Sequence, residues 1–145
     1  ASRKLFATLF VTYITGLLCL TLFIHLIGGL WYFLFHHQPS GRVYHWFDGN
    51  FDLVPDFFSH FSRENLGNIL MFLPFGILYP LSRDHKSWRD TLWAGLLLTI
   101  IIELVQPVMG RSFDANDILL NFSGVLFSTT LFFLFRRLVR RQPTA

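Results

Sequence analysis

Four apolar segments decide what this chain can fold into. A helix needs roughly 20 apolar residues to cross the ~30 Å hydrocarbon core of a bilayer, and the third and fourth segments fall in that range. The second segment is shorter and contains Pro74, Gly76 and Pro80, so we expect a kink or local thinning of the bilayer there. The predicted spans cover about residues 5–30, 66–81, 91–107 and 118–135.

The composition agrees with insertion into a membrane. Hydrophobic residues make up 52% of the chain and charged residues 14%, whereas soluble domains carry about a quarter charged residues. The first segment stays apolar from Leu5 to Phe35, which is longer than the roughly 7–15-residue core of a signal peptide, so a first span is favoured. The predicted fold class is all-α, an integral membrane bundle of four transmembrane helices in one domain, residues 1–145.

The distribution of Lys and Arg predicts the orientation. Three of the 12 basic residues, Arg42, Arg63 and Arg111, lie at one end of the predicted bundle, and the other nine lie at the opposite end. The positive-inside rule therefore places both termini in the cytoplasm and the loop of residues 36–64 outside, as an amphipathic flap at headgroup level. We found no nucleic-acid-binding motif, and anchoring to anionic headgroups explains the nine basic residues. These nine are Arg3, Lys4, Arg83, Lys86, Arg89, Arg136, Arg137, Arg140 and Arg141.

Polar residues lie near the outer ends of three predicted helices and in the connection between the last two. Polar or ionisable groups within a span are costly unless they face the bundle interior or water. We therefore predict that these side chains meet in a hollow beneath the outer headgroups. They are Asn65, Asn68, Glu103, Gln106, Arg111, Asp114, Asp117 and Asn121.

Helical periodicity supports this prediction. Residues three or four positions apart share one face of a helix, and small residues on such a face allow close helix packing in lipid. We expect three such stripes to face the bundle interior. They are Asp114, Asp117, Asn121, Gly124 and Ser128 on the fourth helix, Thr99, Glu103 and Gln106 on the third, and Thr8, Thr12 and Gly16 on the first.

Several of the polar residues also have a purely structural explanation. Asp114 or Ser112 could cap the fourth helix, with Asp117 offsetting the helix dipole, and Asn65 could cap the second. Arg111 could be an interfacial anchor, or it could neutralise Glu103 in a structural ion pair. Glu103 and Asn121 lie deeper, where a polar group in a span indicates function.

Two stretches of the sequence are similar to the VanZ-like family, small bacterial membrane proteins of four helices named for a member that gives low-level teicoplanin resistance. They are NLGNILMFLPFGILYPL, from Asn65 to Leu81, and ELVQPVMGRSFDANDILLNFSG, from Glu103 to Gly124. The upstream NFDLVPDFF departs from the family's Asn-Leu-Ile-Pro-Phe element at Asp52 and Asp56. The resemblance implies a multi-pass protein of the bacterial cytoplasmic membrane, with a polar site facing outside that affects susceptibility to lipoglycopeptides.

Two mechanisms fit the predicted hollow. As a binder of a membrane lipid or lipid-linked cell-wall precursor, the protein would pair Arg111 with phosphate or carboxylate. As an enzyme acting on such a substrate, it would use Glu103 as general acid or base, with Asp114 and Asp117 orienting the substrate or holding Mg²⁺ or Ca²⁺. A transporter would require a homo-oligomer, because four short helices leave little room for an enclosed pathway. In the binding mechanism, hydrogen bonds to the ligand come from Asn65, Asn68, Gln106 and Asn121.

Overall fold

The computed structural model describes residues 2–24, 27–28, 31, 34–35, 49–58, 61–84 and 86–140. Within these residues, four helical segments are long and apolar enough to cross a membrane, and the all-α four-helix bundle predicted from the sequence is confirmed. The predicted flap falls largely on residues 36–48 and 59–60, including Trp46, which lie outside the described residues. The helices are α1, Ser2–Leu18, α2, Arg63–Ser82, α3, Trp88–Val105, and α4, Ala115–Arg140.

Three short elements complete the architecture. A π-helical turn, Cys19–Phe23, continues α1, and a 3₁₀ turn, Gln106–Met109, continues α3. Strand β1, Phe51–Asp52, pairs in parallel with β2, Phe113–Asp114. This pairing was not predicted from the sequence, and it attaches part of the predicted outer loop to the connection between α3 and α4.

Serine caps begin α2 and α3. Ser62 Oγ accepts the Asn65 backbone N–H at 3.2 Å, and Ser87 Oγ accepts the Asp90 N–H at 3.3 Å. The prediction that Asn65 could cap α2 is therefore wrong, because Ser62 occupies that position and Asn65 lies in the first turn. Helix α2 continues through Pro74 without interruption.

Aromatic side chains, and not small residues, hold α1 against α2. The Phe10 ring packs edge-on against Phe75 at a centroid distance of 5.6 Å, and the Tyr13 hydroxyl donates to the Met71 carbonyl at 2.8 Å. The predicted packing stripe on α1 is wrong, because the bulky side chains on the other face make the contact with α2. Its members are exposed, namely Thr8, Thr12 and Gly16.

Glycines on α2, α3 and α4 allow these helices to approach closely. A Cβ added to Gly124 would collide with the Ile69 carbonyl of α2, and one added to Gly95 would lie 2.5 Å from Val125 Cγ1. Because hydrocarbon lipid offers little hydrophobic drive for helix association, such backbone proximity matters for packing. The predicted small-residue face of α4 thus packs inside the bundle.

The contacts between helices define two ends of the bundle. Arg3 at the start of α1 forms an ion pair with Asp84 between α2 and α3, while Asn68 and Asp117 join the starts of α2 and α4. Both α2 and α4 therefore run away from the end that contains Asn68. The start of α1 and the end of α4 share one end, called the basic end below, and the predicted site residues gather at the other.

Candidate functional site

Six of the eight predicted site residues form one continuous chain of contacts at the end of the bundle opposite the basic end. It links the start of α2, the end of α3 and the start of α4. We call this group the polar cluster, and its members are Asn68, Glu103, Gln106, Arg111, Asp114 and Asp117.

Glu103 is the most deeply buried member of the polar cluster. Its side chain has 0% exposure in the last turn of α3, on the face that also buries Thr99. Its Oε1 accepts the backbone N–H of Asp114 at 2.7 Å. Because a carboxylate removed from solvent requires hydrogen-bond donors, this contact stabilises the group and closes the connection between α3 and α4.

Gln106 lies between Glu103 and Arg111. With the amide oriented by its neighbours, its nitrogen donates to Glu103 Oε1 and Oε2 at 3.1 and 3.2 Å, and its oxygen accepts from Arg111 Nη1 at 3.3 Å. The side chain is 2% exposed. Gln106 therefore links the buried carboxylate of Glu103 to the guanidinium of Arg111, which lies nearer the surface.

The turn after α3 places Arg111 beside Gln106. The helix tightens to 3₁₀ geometry at Pro107 and ends at Gly110, whose φ of 78° is in the left-handed region that glycine favours. The Arg111 backbone N–H then donates to the Gln106 carbonyl at 3.1 Å. The sequence Gln-Pro-Val-Met-Gly-Arg thus folds back on itself, placing the side chains at both of its ends together.

Arg111 has Asp117 as its carboxylate partner, with Nη2 lying 3.8 Å from Asp117 Oδ2. Its Nη1 also approaches the Thr21 carbonyl of the π-helical turn at 3.4 Å. The predicted alternative of a direct Arg111–Glu103 ion pair is therefore not what the structure contains, because Gln106 lies between the two. Arg111 and Asp117 keep 31% and 16% of their side chains exposed.

Asp117 and Asn68 join α4 to α2. Asn68 Nδ2 donates to Asp117 Oδ1 at 2.5 Å. Asp117 Oδ1 therefore has an amide donor, while Oδ2 faces the guanidinium of Arg111. Asp117 is the point at which contacts from α2, α4 and the preceding turn meet.

Asp114 acts as a helix cap. Its Oδ1 accepts the Asn116 backbone N–H at 2.7 Å directly before α4 begins, so the capping alternative is confirmed for this residue. Its backbone also pairs with Asp52 through the two short strands. The helix cap and the strand pairing together give Asp114 a structural role that requires no ligand.

Asn65 and Asn121 are the two predicted site residues not joined to the polar cluster by these contacts. Asn65 Oδ1 accepts from Ser62 Oγ at 2.9 Å, within the cap of α2. Asn121 lies one turn deeper in α4 than Asp117 and is 3% exposed. Its Oδ1 has no hydrogen-bond partner among the residues that the structure describes, which is uncommon for a buried amide and is consistent with a water or ligand contact.

A reciprocal amide–carboxylate contact between Asp56 and Asn116 was not predicted from the sequence. Asp56 N–H donates to Asn116 Oδ1 at 3.0 Å, and Asn116 Nδ2 donates to Asp56 Oδ1 at 2.8 Å. Together with the strand pair, this holds residues 49–58 against the start of α4, and we call this segment the tethered loop. No local signal identifies it, because the partners lie 60 positions apart.

The acids of the polar cluster offer limited coordination to a metal. Among the residues that the structure describes, no group of three or more His, Cys, Asp or Glu side chains could hold a metal ion. Asp114 Oδ1 and both oxygens of Asp117 already face N–H groups. Mg²⁺ or Ca²⁺ at Asp114 and Asp117 therefore stays a prediction that would need ligands from outside these side chains.

The fold and the polar cluster define a class: multi-pass membrane proteins whose helix bundle encloses a network of acidic, amide and guanidinium groups at one end. The sequence model of the VanZ/LLP1 family matches residues 10–136, which include all six members of the polar cluster. The chain therefore belongs to the VanZ/LLP1 family, and the resemblance seen in the sequence is confirmed. No match was found among curated proteins or among solved structures.

Proposed function

We propose that this VanZ/LLP1 protein binds the head group of a membrane lipid or lipid-linked cell-wall precursor at the outer leaflet of the bacterial cytoplasmic membrane, and that binding lowers susceptibility to lipoglycopeptides such as teicoplanin. The observation that supports this most is the separation of 3.8 Å between Arg111 Nη2 and Asp117 Oδ2. A charge-assisted hydrogen bond is about 2.7–2.9 Å long, so both groups retain bonding capacity. Both are also partly exposed.

Arg111 and Asp117 together favour a head group that has both anionic oxygens and hydroxyl donors. Arg111 has planar N–H donors that match phosphate or carboxylate oxygens, and Asp117 accepts from hydroxyl groups. A sugar phosphate provides both kinds of group. We therefore place a lipid-linked sugar phosphate ahead of a purely zwitterionic phospholipid.

The tethered loop supplies an apolar surface beside this pair. Its exposed side chains include Phe51, Val54 and Phe58, which are 63%, 73% and 85% exposed. Exposed apolar side chains next to a membrane span favour the headgroup–acyl boundary, where they contact lipid chains. A lipid-linked ligand could then keep its chain in the bilayer while its head group reaches Arg111.

Binding is favoured over catalysis because of how Glu103 is used. A general acid or base must reach the reacting group within hydrogen-bond distance. The Glu103 carboxylate is fully buried and accepts N–H groups of Asp114 and Gln106. We assign Glu103 a positioning role, in which it fixes Gln106 and through it Arg111.

Cell susceptibility tests this proposal. The wild-type gene, expressed in a teicoplanin-susceptible bacterium, should raise the minimum inhibitory concentration of teicoplanin above that of the empty vector. Arg111→Gln should lose this increase, because the amide cannot replace the charge or the fork of donors. Arg63→Gln is the matched comparison, since Arg63 is an exposed arginine at the same end of the bundle.

The proposal fails if Arg111→Gln protects as well as wild type when both proteins reach equal amounts in the membrane. Mass spectrometry of envelope lipids from cells with and without the protein tests the enzymatic alternative. A new lipid product that requires Glu103 would favour catalysis. An identical lipid profile would favour binding.

A further inference from the structure

A cavity of about 440 Å³ lies between α3 and α4, away from the polar cluster. It extends from Trp88 to Leu96, a length of roughly 12 Å along α3 at 1.5 Å per residue. Its volume is in the range of about 300–1,000 Å³ that is typical of ligand pockets. We call it the Arg89 groove, and its lining residues are Trp88, Arg89, Leu92, Trp93, Leu96 and Phe122.

Polar groups without partners surround one part of the Arg89 groove. Arg89 makes no hydrogen bond or ion pair with the residues that the structure describes, and neither do the indole N–H groups of Trp88 and Trp93. These three side chains provide a cation and two hydrogen-bond donors. All three groups donate hydrogen bonds, and none of them can accept one.

The rest of the Arg89 groove is apolar. Leu92 and Leu96 follow Trp88 along one face of α3, and Phe122 closes the groove from α4. No carboxylate lines it, so its charge is that of Arg89 alone. The groove is therefore cationic at the start of α3, where Arg89 lies, and apolar deeper in the bundle at Leu96 and Phe122, with Trp93 between these two parts.

The position of the Arg89 groove in the bundle identifies the complementary ligand. Its lining residues Trp88 and Arg89 lie at the start of α3, at the basic end, where tryptophan indoles and basic side chains favour the headgroup region of the bilayer. A phosphate with an attached acyl chain matches both the charge and the apolar length.

We propose that the Arg89 groove binds one anionic phospholipid of the leaflet at the basic end. Its phosphate lies against Arg89 and the two indoles, and one acyl chain lies along Leu92, Leu96 and Phe122. This site is separate from the proposed head-group site at Arg111, so either can fail without the other. Bound lipid here would cover the groove that α3 and α4 form and would stabilise their packing.

Native mass spectrometry of the detergent-purified full chain tests this proposal, with phosphatidylglycerol and phosphatidylcholine of identical acyl chains as probes. The wild-type protein should retain one phosphatidylglycerol per chain at concentrations at which phosphatidylcholine is lost. Arg89→Gln should weaken phosphatidylglycerol binding about tenfold, equivalent to about 1.4 kcal/mol. Arg137→Gln should bind like wild type, because Arg137 is exposed at the same end but does not line the groove.

A second variant separates the groove from surface charge. Leu96→Trp keeps Arg89 but fills the apolar part, so it should also lose the retained phosphatidylglycerol while the protein still melts cooperatively. Equal retention of the two lipids by wild type would overturn the proposal, because it indicates only a general lipid shell. Equal phosphatidylglycerol retention by wild type and Arg89→Gln, or by wild type and Leu96→Trp, would overturn it as well.

Discussion

Glu103 and Asp114 are joined by a hydrogen bond of 2.7 Å from the Asp114 backbone N–H to the buried carboxylate. This bond fixes the end of α3 relative to the start of α4, and the residues between them carry Arg111. The same carboxylate holds the Gln106 amide, whose oxygen faces Arg111 Nη1. One buried acid thus determines where the partly exposed guanidinium lies.

Replacing that acid should weaken the fold. Glu103→Gln retains an oxygen for the Asp114 N–H but places a second NH₂ group against Gln106, so one hydrogen bond is lost in a buried site. We expect the free energy of unfolding to fall by about 1–3 kcal/mol. Thermal unfolding in detergent should show this loss as a lower melting temperature. Leu104→Ala is the comparison, because Leu104 is 59% exposed on the same helix. Equal melting temperatures for wild type and Glu103→Gln would show that the network does not stabilise the bundle.

The close packing of α2 against α4 leads to a second prediction. Gly124→Ala introduces a methyl group against the Ile69 carbonyl, a backbone atom that cannot move alone. We expect a loss of about 1–3 kcal/mol, the usual cost of overpacking. Gly67→Ala on α2 should be neutral or stabilising, because a Cβ there meets nothing within 4 Å and alanine is the better helix former. If both variants melt at the same temperature, the two helices are farther apart than described.

The tethered loop depends on a pair of residues that can be tested together. Asp56→Ala and Asn116→Ala each remove one side chain of the reciprocal contact, and the double variant removes both. A double-mutant cycle on the free energy of unfolding should give a coupling of about 1 kcal/mol. Both single variants should also be cleaved faster by protease within residues 49–58, and Ser112→Ala should not. Purely additive effects would mean that the loop is held by the strand pair alone.

The contrast between α1 and α4 explains how far the sequence predicts this fold. The stripe from Asp114 to Ser128 was predicted to face the bundle, and Asn121 and Gly124 do so, because polar and small residues recur together there. Thr8, Thr12 and Gly16 also recur at helical spacing but are exposed. In lipid, a small residue and a large apolar residue can both face outward, so spacing alone does not identify the packing face.

For the polar cluster too, the sequence predicts one part of the arrangement and not the other. That its residues lie at one end follows from topology, since alternate helix ends in a four-helix bundle share a face of the membrane. The particular partners do not follow: Arg111 faces Asp117 and not Glu103, because Gln106 intervenes after the turn at Gly110. Likewise, Asp56 looked like a departure from the family pattern, yet it binds Asn116 across 60 positions.

Cysteine labelling tests the predicted orientation. In a Cys19→Ser background, Ser112→Cys should react with a membrane-impermeant maleimide in intact cells, because Ser112 is exposed beside the polar cluster. Arg137→Cys, at the basic end, should react only after the membrane is permeabilised. The reverse labelling pattern would place the polar cluster in the cytoplasm and remove the outer-leaflet role.

Direct binding of a defined ligand tests the central claim that Arg111 and Asp117 receive an anionic head group. The measurement is the affinity of the purified protein in nanodiscs for a synthetic polyprenyl phosphate carrying one sugar, with the free polyprenyl alcohol as reference. Wild type and Arg63→Gln should bind the phosphate with equal affinity and the alcohol weakly, while Arg111→Gln should bind the phosphate at least tenfold more weakly, a loss of about 1.4 kcal/mol or more. Equal affinity of wild type and Arg111→Gln for the sugar phosphate would contradict the account.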